Sequence, residues 1–338
     1  TKMGLRFRKS FTVSKGVEPD IGEIAQDFNF GSEGLRRIMN INEKNKTDNV
    51  FLREILSGNI EEFRGDAKAA VSEYHELMDA VTGMHRRSDE RIDWNYVYNS
   101  PQPFNINALG PKALKVKEKI DGYVPSASEK IFKSRLEKKM ASMKEELLKA
   151  MEEDEETYNG WRSLVDLAGE VLKGNIDAYF EVISELRPLD DLLEFGVDFE
   201  FGSNSSDTMH VEYVADSAGA VPFFSLSLSK TGRLQKTNLS KSQHNELISI
   251  HIASSAIRIA KDMFALLPVE KTVVHIVDNY INELISKKER VTVLSVEFER
   301  DRLEIAEKSK ITPLDILQEF RHNMKFTKSY GFRPVERI

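Results

Sequence analysis

The sequence predicts an α+β fold: a central helical hairpin or coiled-coil-like arm, followed by a mixed-sheet domain with one long helix. Three observations predict it. Phe132, Leu136, Met140, Met143, Leu147 and Met151 recur at steps of four, four, three, four and four, close to a heptad seam with Lys/Glu flanks. Beyond Pro188 the texture changes to short alternating or continuous apolar runs of strand length. Among those runs one helix-length stretch, Ser242 to Leu267, keeps an apolar face. The 338 residues suit two or three regions at roughly 100–200 residues per domain. They divide as a small β-containing N-terminal region over 1–60, a helical arm over 61–187 and an α+β domain over 188–338.

In the N-terminal region Leu5, Phe7, Lys9, Phe11 and Val13 alternate with Arg6, Arg8, Ser10 and Thr12, which reads as a strand or hairpin arm. Residues 20–60 are mixed, with short apolar clusters between turn signals. Phe63, Ala67, Ala70, Val71, Tyr74, Leu77, Met78 and Val81 then form one helical face, stopped by Gly83. Ser100-Pro101 and Gln102-Pro103 cannot continue a helix, so residues 92–104 read as a turn or extended clamp pinned by Trp94 and Phe104. The main helix of the arm, 126–156, takes Ser126 or Ser128 as its cap. Its acidic run Glu152 to Glu156 would oppose the helix dipole at a C-terminus. The helix is therefore expected to continue, or to bend near Gly160, where Trp161, Leu164, Val165, Ala168, Val171 and Leu172 restart the pattern. Residues 176–186 extend it to Pro188.

In the last region Leu193–Phe201 and Met209–Val214 alternate around the turn-rich residues 202–207, a hairpin with a longer loop. Phe223–Leu228 reads as a further strand before the Lys230-Thr231-Gly232 turn. Along the 242–267 helix, Leu247, Ile250, Ile257, Ala260, Phe264 and Leu267 share a side. Ala253, Ser254, Ser255 and Ala256 make a small-residue patch that lets another element come close. Thr272–Val277 and Val291–Phe298 are nearly continuous apolar runs, as buried central strands are. Thr312-Pro313 opens a last short helix over 314–324.

Composition excludes several chemistries. With 40% apolar and 30% charged residues the chain reads as soluble and globular. No apolar run approaches the roughly 18–20 residues of a membrane span, and no apolar segment follows the basic N-terminus as in a secretory signal. The absence of cysteine removes disulfides, thiolate metal sites and cysteine nucleophiles, and suggests a cytoplasmic setting. The net charge of -7 argues against a general nucleic-acid coat. Its distribution is uneven, because 1–17 and 320–335 carry cations and no acid. In the second segment Arg321, Lys325, Lys328 and Arg333 alternate with Phe320, Phe326, Tyr330 and Phe332. Cations beside stacking rings suit single-stranded nucleic acid, and the same pattern also suits a terminal strand with core rings and solvated charges.

No phosphate-binding glycine loop, nucleophile elbow or HExxH helix is present. His244 and His251 are two turns apart on one helix face, about 10 Å, too far for one metal ion. His275 lies in an apolar strand that ends near Asp278, where a hydrogen-bonded core histidine is the simpler reading. The best acidic cluster is on the predicted hairpin. Asp198 and Glu200 share one face, as do His210 and Glu212 on the next strand. If the faces match, these side chains are candidate ligands for Mg²⁺ or Mn²⁺, with Asp198, Glu200 and Glu212 as candidate catalytic acids. The alternative is the solvent face of an amphipathic sheet. Neither Glu200 nor Glu212 is followed two residues later by the Lys that a restriction-enzyme type of site would add; those positions are Gly202 and Val214.

The opening Met3–Ser10 (MGLRFRKS) resembles the start of an uncharacterised bacterial family, of the domain of unknown function 4236 type. Ile92–Phe104, Trp161–Ile183, Leu189–Gly202, Ala265–Asp278, Thr292–Phe298 and His322–Val335 also resemble stretches of longer relatives. The glycine- and serine-rich β segment usual after the opening motif is missing or reduced, and Val221–Ser229 departs from the charged stretch of relatives. The resemblance implies a bacterial, cytoplasmic protein and carries over no activity or catalytic residue.

Two functions are expected from these observations. The first is a non-catalytic interaction or assembly protein, binding a protein partner or its own copies without cofactor, in a bacterial multi-protein system such as phage defence. The second is a metal-dependent nuclease or phosphodiesterase, with the basic C-terminal segment holding the nucleic acid.

Overall fold

The computed structural model describes residues 9–14, 66–282, 287–309 and 312–338. The opening motif upstream of Lys9, the stretch 20–60 and Phe63 lie outside these residues. The α+β class holds, with a mixed sheet and a long helix. The described residues fall into two compact units. A sheet unit contains 9–14, 66–92 and the residues from 174 onward, and a helical unit contains 93–173. The first and last helices of the predicted arm thus belong to the sheet unit.

The sheet unit is built on strands β1 (Lys9–Ser14), β2 (Gly196–Ser205), β3 (Thr208–Ala215), β6 (Lys271–Asn282), β7 (Lys287–Glu299), β8 (Arg321–Thr327) and β9 (Gly331–Arg333), hydrogen-bonded in that order. β3 and β6 run parallel and the other neighbours run antiparallel. The two apolar runs do occupy the middle of the sheet, as β6 and β7. The expected loop over 202–207 is instead a two-residue turn, Ser206-Asp207, because both strands extend to a Ser205–Thr208 pair. Ser203 makes this tight turn workable: it is fully buried and its hydroxyl serves the carbonyls of Ser205 (2.6 Å) and Thr208 (2.8 Å).

A parallel β3–β6 pair needs a crossover, and helix α8 (Lys241–Leu266) supplies it. Ser240 and Gln243 form a capping box at its start. Residues 251–260 are buried without exception, so this helix is enclosed rather than amphipathic. It packs on β3, β6 and β7, and on the 3₁₀ turn Met84–Arg86, on α1 (Ala67–Thr82) and on α10 (Pro313–Gln318). The small patch receives the chain after α1. Ser254 donates to the carbonyl of Thr82 (2.7 Å), and His251 meets that of Val81 (3.0 Å). Helix α6 (Ile176–Leu186) packs on β1 and β2. The β4 (Phe224–Leu228) and β5 (Leu234–Asn238) hairpin forms a separate small sheet on α1. Between β3 and β4 sits the single turn α7 (Ser217–Ala220). The expected helix over 314–324 stops at Gln318, and Arg321 opens β8 instead. Helix α9 (Arg300–Lys308), with no strong apolar face, escaped the sequence reading.

The helical unit contains α2 (Trp94–Tyr98), α3 (Pro111–Asp121), α4 (Ala127–Ile131) and α5 (Lys133–Leu172). Ser126 caps α4, not the long helix. α5 runs unbroken through Gly160, so its acidic run lies mid-helix, away from the unfavourable dipole end. Part of that run has a second use. Gly110 caps α3 without a side chain, and the buried carboxylate of Asp154 accepts from the N–H groups of Lys112 (3.2 Å) and Ala113 (2.8 Å) in its place. A Cβ on Gly110 would stand 2.3 Å from Asp154 Cγ, so only glycine admits this carboxylate. The 92–104 stretch is partly helical, since Asp93 caps α2 ahead of the prolines. Phe104 does pin it, its ring packing at a tilt against Tyr158 at 5.7 Å, while Trp161 donates to Ser100 (3.0 Å).

Candidate functional site

The residues singled out for metal chemistry come together on one face of the sheet. In β2 and β3 the aromatic and aliphatic residues Phe199, Phe201, Val211 and Tyr213 are buried, with Phe199 stacked on Tyr213 at 4.6 Å. The alternating residues Asp198, Glu200, His210 and Glu212 therefore share the opposite, half-buried face. The register places Glu200 across from Glu212 and Glu212 beside His275, which in turn faces Ser295. Two carboxylates directly opposite repel. Arg337 offsets this, its guanidinium lying 2.6 Å from Glu212.

Arg337 reaches Glu212 because the chain after β9 crosses this face. Val335 N–H donates to the carbonyl of Thr292 (2.9 Å), and Arg337 Nε to the Thr292 hydroxyl (3.0 Å). Asn323 donates to the carbonyl of Glu336 (3.0 Å), and Ile338 N–H to Ser295 Oγ (3.1 Å). Ser295 Oγ also lies 2.9 Å from His275 Nδ1. A hydroxyl that accepts from Ile338 keeps its own proton, which it can donate to Nδ1. Burial, with Arg337 and then His210 adding repulsion, pushes the His275 pKa down to about 3. Burial also lowers the pKa of His210, against the pull of Glu297. Asp198 is raised by burial and by Glu212, with Arg290 opposing. The face thus holds neutral imidazoles, a bound guanidinium and partly desolvated acids. Among the described residues no group of three or more His, Asp or Glu is arranged to hold a metal ion.

His275 is the hydrogen-bonded core residue that its sequence setting suggested. Asp278 is buried and takes hydrogen bonds from Ser217 Oγ and the N–H of Asn279 (2.7 Å). His244 and His251 each meet a separate backbone carbonyl, of Val221 (2.9 Å) and Val81 (3.0 Å).

The basic candidates divide. β8 places Arg321, Asn323 and Lys325 on the polar face, and Arg333 of β9 pairs directly with Lys325. Arg321, Lys325 and Arg333 are exposed. Lys328 is drawn aside to Glu246 on α8 (2.8 Å). Of the interleaved rings, Phe320 is core and packs on Phe298 (5.0 Å), and Phe326 packs on Phe332 (5.0 Å). Tyr330 is 67% exposed, with the Arg333 guanidinium 5.5 Å from its ring centre.

Sequence reasoning missed Arg337, Arg258 and Arg300. Arg258 on α8 is almost wholly buried and paired with Asp262 (2.7 Å) and Asp191 (3.3 Å). Burial opposes its charge, and the two acids outweigh burial. The Arg258/Asp262 spacing of four residues was the available signal. Arg300 donates to the carbonyls of Phe264, Leu267 and Val269 at the C-terminal end of α8, where the helix dipole favours a cation.

Comparison with protein-family models, curated proteins and solved structures found no match to the chain. Among the described residues no helix is long and apolar enough to cross a membrane.

Proposed function

We propose that the protein is a non-catalytic assembly protein whose copies associate through the helical unit. One observation carries this reading. Of the fourteen large apolar side chains that are exposed among the described residues, ten lie within 93–173. On and beside α5 they include Ile131 (74%), Phe132 (53%), Leu148 (61%) and Met151 (43%). Contiguous exposed apolar groups mark interaction surfaces, and Leu148 and Met151 lie one turn apart on α5. The charge on α5 selects the occupant. Residues 133–144 carry five cations and one acid, and residues 145–156 carry seven acids and one cation. A second copy lying antiparallel, centred between Lys144 and Glu145, sets each basic half on an acidic half. The resemblance to the MGLRFRKS family suggests a bacterial cytoplasm as the setting, and a multi-protein system such as phage defence as the kind of assembly served.

Sedimentation velocity of the native protein over roughly a hundredfold concentration range tests this, at about 0.05 and 0.5 M salt. Dimers that form with concentration and weaken in salt support it. A monomer throughout overturns it.

The second reading is a Mg²⁺- or Mn²⁺-dependent nuclease or phosphodiesterase. The shared face of Asp198, Glu200, His210 and Glu212 favours it, and the Glu212–Arg337 pair weighs against it. Metal-stripped protein incubated with labelled DNA and RNA, with and without Mn²⁺, decides. Cleavage that requires Mn²⁺ and disappears in Glu200→Ala and Glu212→Ala would establish it. No cleavage would remove it.

A further inference from the structure

We infer that the β8–β9 hairpin is a docking surface for single-stranded nucleic acid, built from Lys325, Arg333 and Tyr330 with Arg321 on its flank. This rests on observations separate from those behind assembly. The first is a like-charge pair. Lys325 and Arg333 are directly opposite in register and exposed, an arrangement that destabilises a hairpin unless an anion lies over it. The second is the exposed ring of Tyr330 beside the Arg333 guanidinium. Phosphate needs the cations, and an unpaired base needs the flat face. Charge placed on an edge strand to block aggregation would explain Arg333 alone. It would not explain an exposed aromatic beside it.

The hairpin is tied to the helix beside it. Gly331 adopts φ 79° at the start of β9, and Asn245 of α8 donates to the carbonyl of Lys328 (2.8 Å). Glu246 takes the Lys328 ammonium and so removes that cation from the patch. Arg321 and Lys325 are four residues apart on one face of β8, about 13 Å by strand rise. The tail backbone at Glu336 is bound to Asn323 between them. Arg321 therefore contributes across the tail, and the Lys325–Arg333–Tyr330 group is the centre of the site.

The test is fluorescence anisotropy of the full chain with a labelled oligo-dT strand of about 20 nucleotides, the matching RNA, and a duplex of equal length, at about 50 mM salt. Single strands are expected to bind more tightly than the duplex. K325Q with R333Q should weaken single-strand binding at least tenfold and flatten the salt dependence by about 0.7 per lost phosphate contact. Y330A should cost about fivefold or more on single strands and little on the duplex. K328Q, whose ammonium is held by Glu246, should change binding less than either. All four side chains are exposed, and unchanged melting curves would show that the variants fold. Absence of single-strand binding overturns the inference, as does binding that the Lys325/Arg333 variant leaves intact. Equal or tighter binding of the duplex would overturn the single-strand assignment.

Discussion

The two units bury apolar surface on a heavily charged chain in opposite ways. In the sheet unit a 26-residue helix is enclosed by strands and short helices, and its polar side chains are answered individually. Arg258 has Asp262, His251 has the Val81 carbonyl, and Ser254 has that of Thr82. In the helical unit a 40-residue helix is held along one stripe, through Met143, Ala150 and Asp154, while Leu148 and Met151 stay in solvent. Buried charge in the sheet unit is therefore part of the architecture. Leu148 and Met151 lie outside the core of the helical unit, and that surplus is what the assembly proposal explains.

The largest break in this contrast should come from Asp262→Ala. It leaves Arg258 buried with Asp191 as its remaining ion-pair partner and should cost about 3–5 kcal/mol in urea unfolding. A loss below about 1 kcal/mol would mean that the pair does not organise the interior.

The pH dependence sharpens the same point. His275 is held neutral in the folded chain, with its pKa near 3 against an ordinary value of 6.5. Its contribution is complete above the ordinary value and is lost as pH falls, because only the unfolded chain then takes up the proton. Between about pH 4.5 and 6 that is one proton, or about 1.4 kcal/mol per pH unit. His275→Gln should lower the slope of stability against pH by this amount. An unchanged slope would place His275 in water.

Neither Arg258 nor the setting of His275 was fully legible in the sequence. The periodicities exposed α1, α5, α8 and the central strands, because a core face must repeat at 3.6 or 2 residues. They did not reveal α9, whose charged composition hides its three buried positions, Arg300, Leu303 and Ala306. The hairpin acids were found, since alternation fixes their face. Their partner Arg337 was not, because 125 positions separate it from Glu212 and only the tail crossing brings them together. The role of Asp154 was hidden for the same reason: a cap supplied from another helix leaves no local pattern.

Smaller effects follow from these long-range contacts. Asp154→Ala should cost about 1–2 kcal/mol and speed hydrogen exchange at the amides of Lys112 and Ala113. Unchanged exchange there would remove the shared-cap explanation. Glu212→Gln should cost about 1 kcal/mol, because the partly exposed pair is screened by water. It should raise exchange at the Ile338 amide, with the core strands unaffected. Protection unchanged at Ile338 would mean that the tail is held without the ion pair.

Leu148→Glu with Met151→Glu should change stability least, within about 0.5 kcal/mol, because both side chains already stand in solvent. The same double variant gives the most direct test of the central claim that the helical unit is an assembly surface. Its sedimentation should be that of a folded monomer at concentrations where the native chain is dimeric. A native chain that is monomeric throughout, or a double variant that still dimerises, would contradict the account.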